Sequence, residues 1–278
     1  MQTPPPKISF EFFPPKTPEG RDKLLAVRDR LAALNPEYFS VTYGAGGSTR
    51  DNTRDIVTQI HRDGHQVAPH LSFGGDSREA VIALLQSYRD AGVQRVVALR
   101  GDMPSGSGIY KLVNANELVA IIREQFGDHF HISVAAYPEI HPDAESYSRD
   151  VYWLGEKFRA GADSAITQYF YNADAYFHFL DECARQGIDK PVIPGIMPIT
   201  NFHNLVRFSD ACGADIPRWL RHKLAGFGDD NQGLRAFGED VVTRLCQRLR
   251  DGGAPGFHFY TMNQAHASVA ILRNLGMA

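Results

Sequence analysis

This chain has no long apolar run, no basic cluster and no paired cysteines, and each absence excludes a class of protein. No window of its 278 residues approaches the roughly 20 apolar positions of a membrane span. The amino terminus from Met1 to Lys7 is polar and proline-rich, without the apolar centre of a leader peptide. Lys and Arg are scattered, the net charge is -3 and the pI is near 6.4, so no stripe of cations exists to neutralise phosphates and no nucleic-acid partner is expected. The cysteines, Cys183, Cys212 and Cys246, are odd in number and lack CxxC spacing, which fits reduced thiols in a cytoplasmic protein. No Ser/Gly linker, low-complexity tract or repeat divides the sequence, and a single domain over 1–278 is expected.

What is present is an alternation of short β-branched or aromatic runs with longer amphipathic stretches. The runs are Ile8–Pro14, Tyr38–Tyr43, Val67–Phe73, Arg95–Leu99, His131–Tyr137, Ser164–Tyr171, Val192–Met197 and Phe257–Met262. Thr17-Pro18 marks a helix start, followed by Leu24, Val27, Leu31 and Leu34 on one face. Further helices are expected from about Asp51 to Arg62, after a Ser77 cap, and from about Asn114 to Phe126. Eight strands alternating with helices at this length predict an α/β fold, a single (β/α)8 TIM barrel with its active site at the strand carboxyl ends. The open doubly wound alternative lacks its G-x-G-x-x-G: Gly44-Ala45-Gly46-Gly47 and Gly106-Ser107-Gly108 both miss the third glycine.

The predicted strand ends gather Glu11, Thr42, Tyr43, His70, Arg100, Asp102, Tyr137, His141, Gln168, Thr200, Asn201, Tyr260 and Asn263 at one mouth. Glu11 is the most informative of them. It stands among Ile8, Phe10, Phe12 and Phe13, where burial would raise its pKa and make it a general acid. An isolated charge in an apolar run also pairs with an arginine or marks an exposed edge, and that alternative stays open. Glu11, His70, Asp102 and His141 could ligate a metal, but no H-x-H or H-E-x-x-H spacing at a strand end supports it, and His129-Phe130-His131 lies at the start of its strand. All seven lysines lie outside the predicted strands, against Schiff-base chemistry, and the loops after the last two strands lack phosphate-binding glycines. Phe12, Tyr43, Tyr137, Tyr169, Phe170 and Tyr260 could supply stacking surfaces or simply belong to the core.

Eight segments in order carry a resemblance: SFEFFPP (Ser9–Pro15), SVTYGAGG (Ser40–Gly47), APHL (Ala68–Leu71), ALRGD (Ala98–Asp102), SVAAYPEIHP (Ser133–Pro142), AGADSAITQYFY (Ala160–Tyr171), IPGIMPITNF (Ile193–Phe202) and FHFYTMN (Phe257–Asn263). Together they closely resemble the bacterial methylenetetrahydrofolate reductases over nearly the whole chain. The resemblance implies a barrel that binds FAD, takes a hydride from NADH or NADPH, and then reduces 5,10-methylenetetrahydrofolate to 5-methyltetrahydrofolate by a ping-pong mechanism. This reaction feeds one-carbon metabolism and methionine synthesis.

By the same resemblance Glu11 is the acid that protonates N10 of the folate, and Asp102 lies near the flavin pyrimidine edge and favours the cationic folate intermediate. It points to Thr42, Tyr43, Ala45, His70, Arg100, Gly101, Asp102, Tyr137, His141, Asp150 and Lys157 for the cofactor. For the substrates it points to Gln168, Asn204, Phe208, Tyr260, Met262 and Gln264. Asn204 and Gln264 stand where relatives have a glutamine and an arginine, which removes a charge partner for the folate's glutamate tail. No metal, no membrane and no regulatory domain are expected, and hence no adenosylmethionine inhibition through one. A homo-oligomer is compatible with the sequence, which is silent on oligomeric state and on NADH against NADPH. A barrel that binds flavin or folate without turnover, and a metal-dependent lyase or hydrolase, are the competing readings.

Overall fold

Parallel strands must be joined by crossovers, and here each crossover is a helix whose apolar stripe lies against the sheet. The computed structural model describes residues 6–44, 50–73, 76–101 and 113–278. The strands are β1 (Lys7–Phe12), β2 (Tyr38–Val41), β3 (Val67–Leu71), β4 (Arg95–Ala98), β5 (His131–Ala136), β6 (Ser164–Thr167), β7 (Val192–Ile193), β8 (Gly195–Ile196) and β9 (Gly256–Tyr260). Between and after them run α1 (Pro18–Ala32), α2 (Arg50–Arg62), α3 (Arg78–Asp90), α4 (Ala115–Phe126), α5 (Tyr147–Arg159), α6 (Ala173–Arg185), α7 (Phe202–Cys212), α8 (Arg218–Ala225), α9 (Asn231–Asp251) and α10 (His266–Asn274). The expected starts hold: Thr17 Oγ1 accepts from the Gly20 N–H at 3.1 Å with Pro18 in the first turn, and Ser77 Oγ accepts from Ala80 N–H at 3.2 Å.

All pairings are parallel, in the order β7-β6-β5-β4-β3-β2-β1-β9-β8. The two end strands are consecutive in the chain with only Pro194 between them, so the sheet returns on itself as an α/β barrel. The expected seventh strand, Val192–Met197, is therefore one strand broken in two. Val192 and Ile193 pair with Ala165 and Ile166, whereas Gly195 and Ile196 pair with His258 and Phe259. Pro194 causes the break, because proline brings no N–H to a ladder; its carbonyl still accepts from His258 N–H at 3.0 Å. The sixth strand is also shorter than expected and ends at Thr167, leaving 168–171 in the following loop.

Alternation along each strand makes two unlike interiors. Phe10, Phe12, Phe39, Phe257 and Phe259 join the helix residues Leu24, Leu31 and Ile60 in one continuous apolar layer around the barrel. Each such side chain stabilises by about 2 kcal/mol through burial. The barrel axis instead holds a small apolar cluster of Tyr38, Ala68, Val97 and Ile166, with serines and histidines beneath the mouth. Ser133 Oγ and Ser164 Oγ lie 3.0 Å apart, and His131 Nε2 is 3.0 Å from the same Ser164 Oγ. No described helix is long and apolar enough to cross a membrane.

Candidate active site

Glu11 lies on the axial face of β1, beside Tyr260 of β9 and Ser40 of β2 in register. Its side chain is only 16% exposed, and its Oε2 is approached by two imidazoles: His258 Nε2 at 3.3 Å and His70 Nε2 at 3.2 Å. The His258 contact has hydrogen-bond geometry, whereas the His70 nitrogen is off the angle for one. His258 is fully buried, and its other nitrogen, Nδ1, meets Ser9 Oγ at 2.7 Å. An ionised carboxylate only accepts, so Nε2 carries the hydrogen in the pair with Glu11, and in neutral imidazole Ser9 then donates to Nδ1. The expectation of a raised carboxyl pKa is thereby corrected. Burial does push it up, but the charge of His70 and the hydrogen bond and charge of His258 together outweigh burial and hold Glu11 down at about 2.

The turn after β9 fixes this arrangement. Thr261 Oγ1 donates to the Glu11 carbonyl at 2.6 Å, and Asn263 exchanges two hydrogen bonds with the Phe13 backbone, at 2.9 and 3.1 Å. Met262 and Asn263 both take positive φ, 51° and 54°, a cost the clamp offsets.

The ends of β4 and β5 and the face of α5 line a cavity of about 400 Å³ whose wall includes Tyr43, Arg100, Tyr137, His141, Trp153 and Lys157. Tyr43 OH donates to Asp76 at 3.3 Å, and burial with the Asp76 charge pushes it up to about 12. Arg100 pairs with Asp143 at 2.8 Å. Gly101 has φ 79°, and a Cβ there would sit 2.6 Å from Ser72 Oγ, so neither the backbone nor the space admits another residue. His141 packs edge-on against Tyr137 with centroids 4.5 Å apart, and its backbone N–H donates to Asp150 at 2.8 Å. Ile140 before it has φ 87°, a strained angle for a β-branched residue. Lys157 reaches from α5 to the end of β5, donating to the Ala135 carbonyl at 2.8 Å, and burial brings it down to about 8. Thr42 contributes backbone: its N–H donates to Phe12 at 2.9 Å and its carbonyl accepts from Thr53 Oγ1 at 2.9 Å.

The remaining expected residues are not in the wall of that cavity, and Gln264 lines a separate one with Thr200, Asn201 and Arg235. Gln168 follows β6, and its Oε1 accepts from the Tyr169 N–H at 3.0 Å. Tyr260 OH donates to the Thr167 carbonyl at 2.7 Å, with its ring edge-on to His258. Asn204 and Phe208 sit one turn apart on α7. Met262 and Gln264 lie in the turn that clamps β1, the latter exposed. Ala45 and Asp102 lie outside the described residues. Of the aromatic side chains proposed for stacking, Phe12, Tyr169 and Phe170 belong to the core: Phe12 stacks on Phe39, Tyr169 OH meets Ser209 Oγ at 2.9 Å, and Phe170 stacks on Tyr176.

Of the residues considered for a metal, Glu11 and His70 meet at 3.2 Å, and Asp102 lies outside the described residues. His141 stands in the cavity wall on the Tyr137 side, and no metal-holding group of three His, Cys, Asp or Glu occurs among the described residues. Sequence reasoning missed Ser9 and His258. Their signal was the alternation in Phe257-His258-Phe259, which turns the histidine toward the axis when both phenylalanines face the helices.

Comparison with known proteins places this geometry. A family model described as methylenetetrahydrofolate reductase matches residues 2–276. The 5,10-methylenetetrahydrofolate reductase of Escherichia coli strain K12 is 40% identical over 271 residues, 97% of this chain and 90% of that protein. The Arabidopsis thaliana methylenetetrahydrofolate reductase (NADH) 1 is 37% identical over 285 residues, 97% of this chain and 48% of its own. Among solved structures, a Clostridium thermocellum protein described as binding two copies of 5-methyl-5,6,7,8-tetrahydrofolic acid matches with a TM-score of 0.67 at 18% identity, covering 97% of this chain and 93% of that one. At that identity the likeness concerns the fold.

Proposed function

Because the chain belongs to the methylenetetrahydrofolate reductase family, an oxidoreductase family, we propose that it reduces 5,10-methylenetetrahydrofolate to 5-methyltetrahydrofolate with hydride from NADH or NADPH. The observation that carries this reading is the Glu11 cluster: one carboxylate, 16% exposed and held by two imidazoles, on the axial face of a barrel that also carries an aromatic and cationic cavity.

The cavity fits a flavin dinucleotide. Arg100 and Lys157 are cations suited to a pyrophosphate, and Tyr43 and Tyr137 are flat walls. Asp150 and His141 complete that wall, with Thr42, Ala45, His70 and Asp102 carried over from the resemblance. Bound there, FAD would accept the nicotinamide hydride and pass it to the folate in a second half-reaction, so both substrates use one mouth in turn.

The chain's own residues handle the proton and the positioning. Glu11 delivers a proton to N10 of the folate, opening the five-membered ring to a cation that accepts hydride. Held ionised at neutral pH, Glu11 must take up a proton before it delivers one, and its side chain, 16% exposed, can receive it at the mouth, while His258 Nε2–H hydrogen-bonds the carboxylate and keeps it oriented. Asp102, next after Gly101, supplies the negative charge that favours the cation. Gln168, with its amide NH2 facing no partner among the described hydrogen bonds, would meet the pterin, with Asn204, Phe208, Tyr260, Met262 and Gln264 as the further substrate contacts that the resemblance implies.

Anaerobic half-reactions test the assignment. Glu11→Gln should leave reduction of the flavin by the nicotinamide intact and abolish reoxidation by the folate. A variant that still reduces folate would remove Glu11 from the acid's role, and a parent protein purified without any flavin absorption would count against the reading as a whole.

A further inference from the structure

Asp150, Trp153 and Lys157 fall at i, i+3 and i+7 on α5, one face of a helix with 3.6 residues per turn, and all three line the cavity that Arg100 and Tyr137 also line. Hydrogen bonds account for two of them, Asp150 to the His141 N–H and Lys157 to the Ala135 carbonyl. Trp153 between them makes ring contacts alone. It is 43% exposed, in a molecule whose other large aromatic rings are mostly buried. An indole left in a cavity wall at this exposure is a ready surface for a flat apolar partner.

Its orientation is already set. The Arg149 guanidinium lies 5.1 Å above the indole and 4.7 Å above Tyr152, and the two rings meet edge-on with centroids 5.6 Å apart. A ring braced in this way loses little freedom when something stacks on it. Arg100 and Lys157, the cations suited to a pyrophosphate, share its cavity.

We infer that Trp153 is the stacking platform for the adenine ring of the flavin dinucleotide, and so a determinant of the choice of FAD over FMN. This rests on the flavin reading above. An adenosine continuing past a pyrophosphate held by Arg100 and Lys157 meets the α5 face, whereas FMN ends at its phosphate and does not reach the indole. The nicotinamide dinucleotide carries an adenine too; the shared cavity with Arg100 and Lys157 is what assigns the platform to the flavin.

The sequence has two tryptophans, so Trp219→Phe, on exposed α8, leaves Trp153 as the sole indole reporter in the full chain. Titration with FAD or with ADP should quench its emission. Trp153→Ala should raise the FAD dissociation constant about 10-fold, the scale of one lost base–aromatic stack, and leave that of FMN within about 2-fold. Trp153→Phe should restore most of the difference. An equal rise for FAD and FMN would make the residue merely structural, no change in either would remove the platform, and a rise confined to the nicotinamide's KM would give it to the other substrate; each overturns the assignment. A parent protein that binds neither flavin fails the cofactor reading itself, a result distinct from one that binds FAD and FMN alike.

Discussion

Glu11 sits between two opposed influences of comparable size. Burial favours the neutral acid, and the imidazoles of His70 and His258 favour the carboxylate and win. Its folded pKa, about 2, lies below the ordinary 4.5, so the stabilisation is present above pH 4.5 and is lost as pH falls through 2. His258→Asn keeps a polar atom near the Nδ1 position that meets Ser9 and deletes the Nε2 that meets Glu11. With one opposing partner gone, burial gains, and the acid form of Glu11 should persist to higher pH. The pH profile of the folate half-reaction should then move upward while that of the nicotinamide half-reaction stays in place. The parent's advantage in melting temperature over the variant should also shrink between pH 5 and 2. A folate profile that does not move would show that His258 does not govern the acid. Glu11 was legible as a misplaced charge in an apolar strand, but the direction of its pKa was not. That direction depends on a histidine 247 positions away, and no local pattern reports such a meeting.

Among the elements, the strands of a parallel barrel were the most legible, because burial on both faces writes them as near-continuous apolar runs. Their ends were less so. Tyr169, Phe170 and Tyr171 read as strand yet lie beyond β6, where the core and not the ladder claims them. The division at Pro194 was also not anticipated, although the residue needed to cause it stood in plain view. Gly195 shows how tight that closing point is. Its N–H donates to Thr167 Oγ1 at 2.9 Å, and an added Cβ would lie 2.1 Å from the Thr167 carbonyl oxygen and 2.6 Å from the Tyr260 ring. Backbone cannot yield there without opening the seam between β6 and β9. Gly195→Ala should cost about 3 kcal/mol, measured by urea unfolding. A loss of less than about 1 kcal/mol would mean that the seam has slack and that its close approach is not what holds the two half-strands together.

For the molecule as a whole, closure means that no strand pair is peripheral: β1 is tied to β9 as firmly as to β2, and the Glu11 cluster spans those neighbours together with β3. The cavity proposed for the flavin adds the ends of β4 and β5 and the face of α5. A ligand held by so many consecutive units binds the closed barrel and finds no such surface on the unfolded chain. Its binding energy should therefore appear as stability of the entire fold. At a free concentration 100 times its dissociation constant, FAD should add about 2.7 kcal/mol, which for a chain of this size is a rise of about 5 °C in the melting midpoint. Calorimetry with and without added FAD checks this, and the transition should stay single as it moves. A midpoint indifferent to FAD would deny the cofactor its site, and a melt in which only one part shifts would show that the strands do not unfold as one barrel.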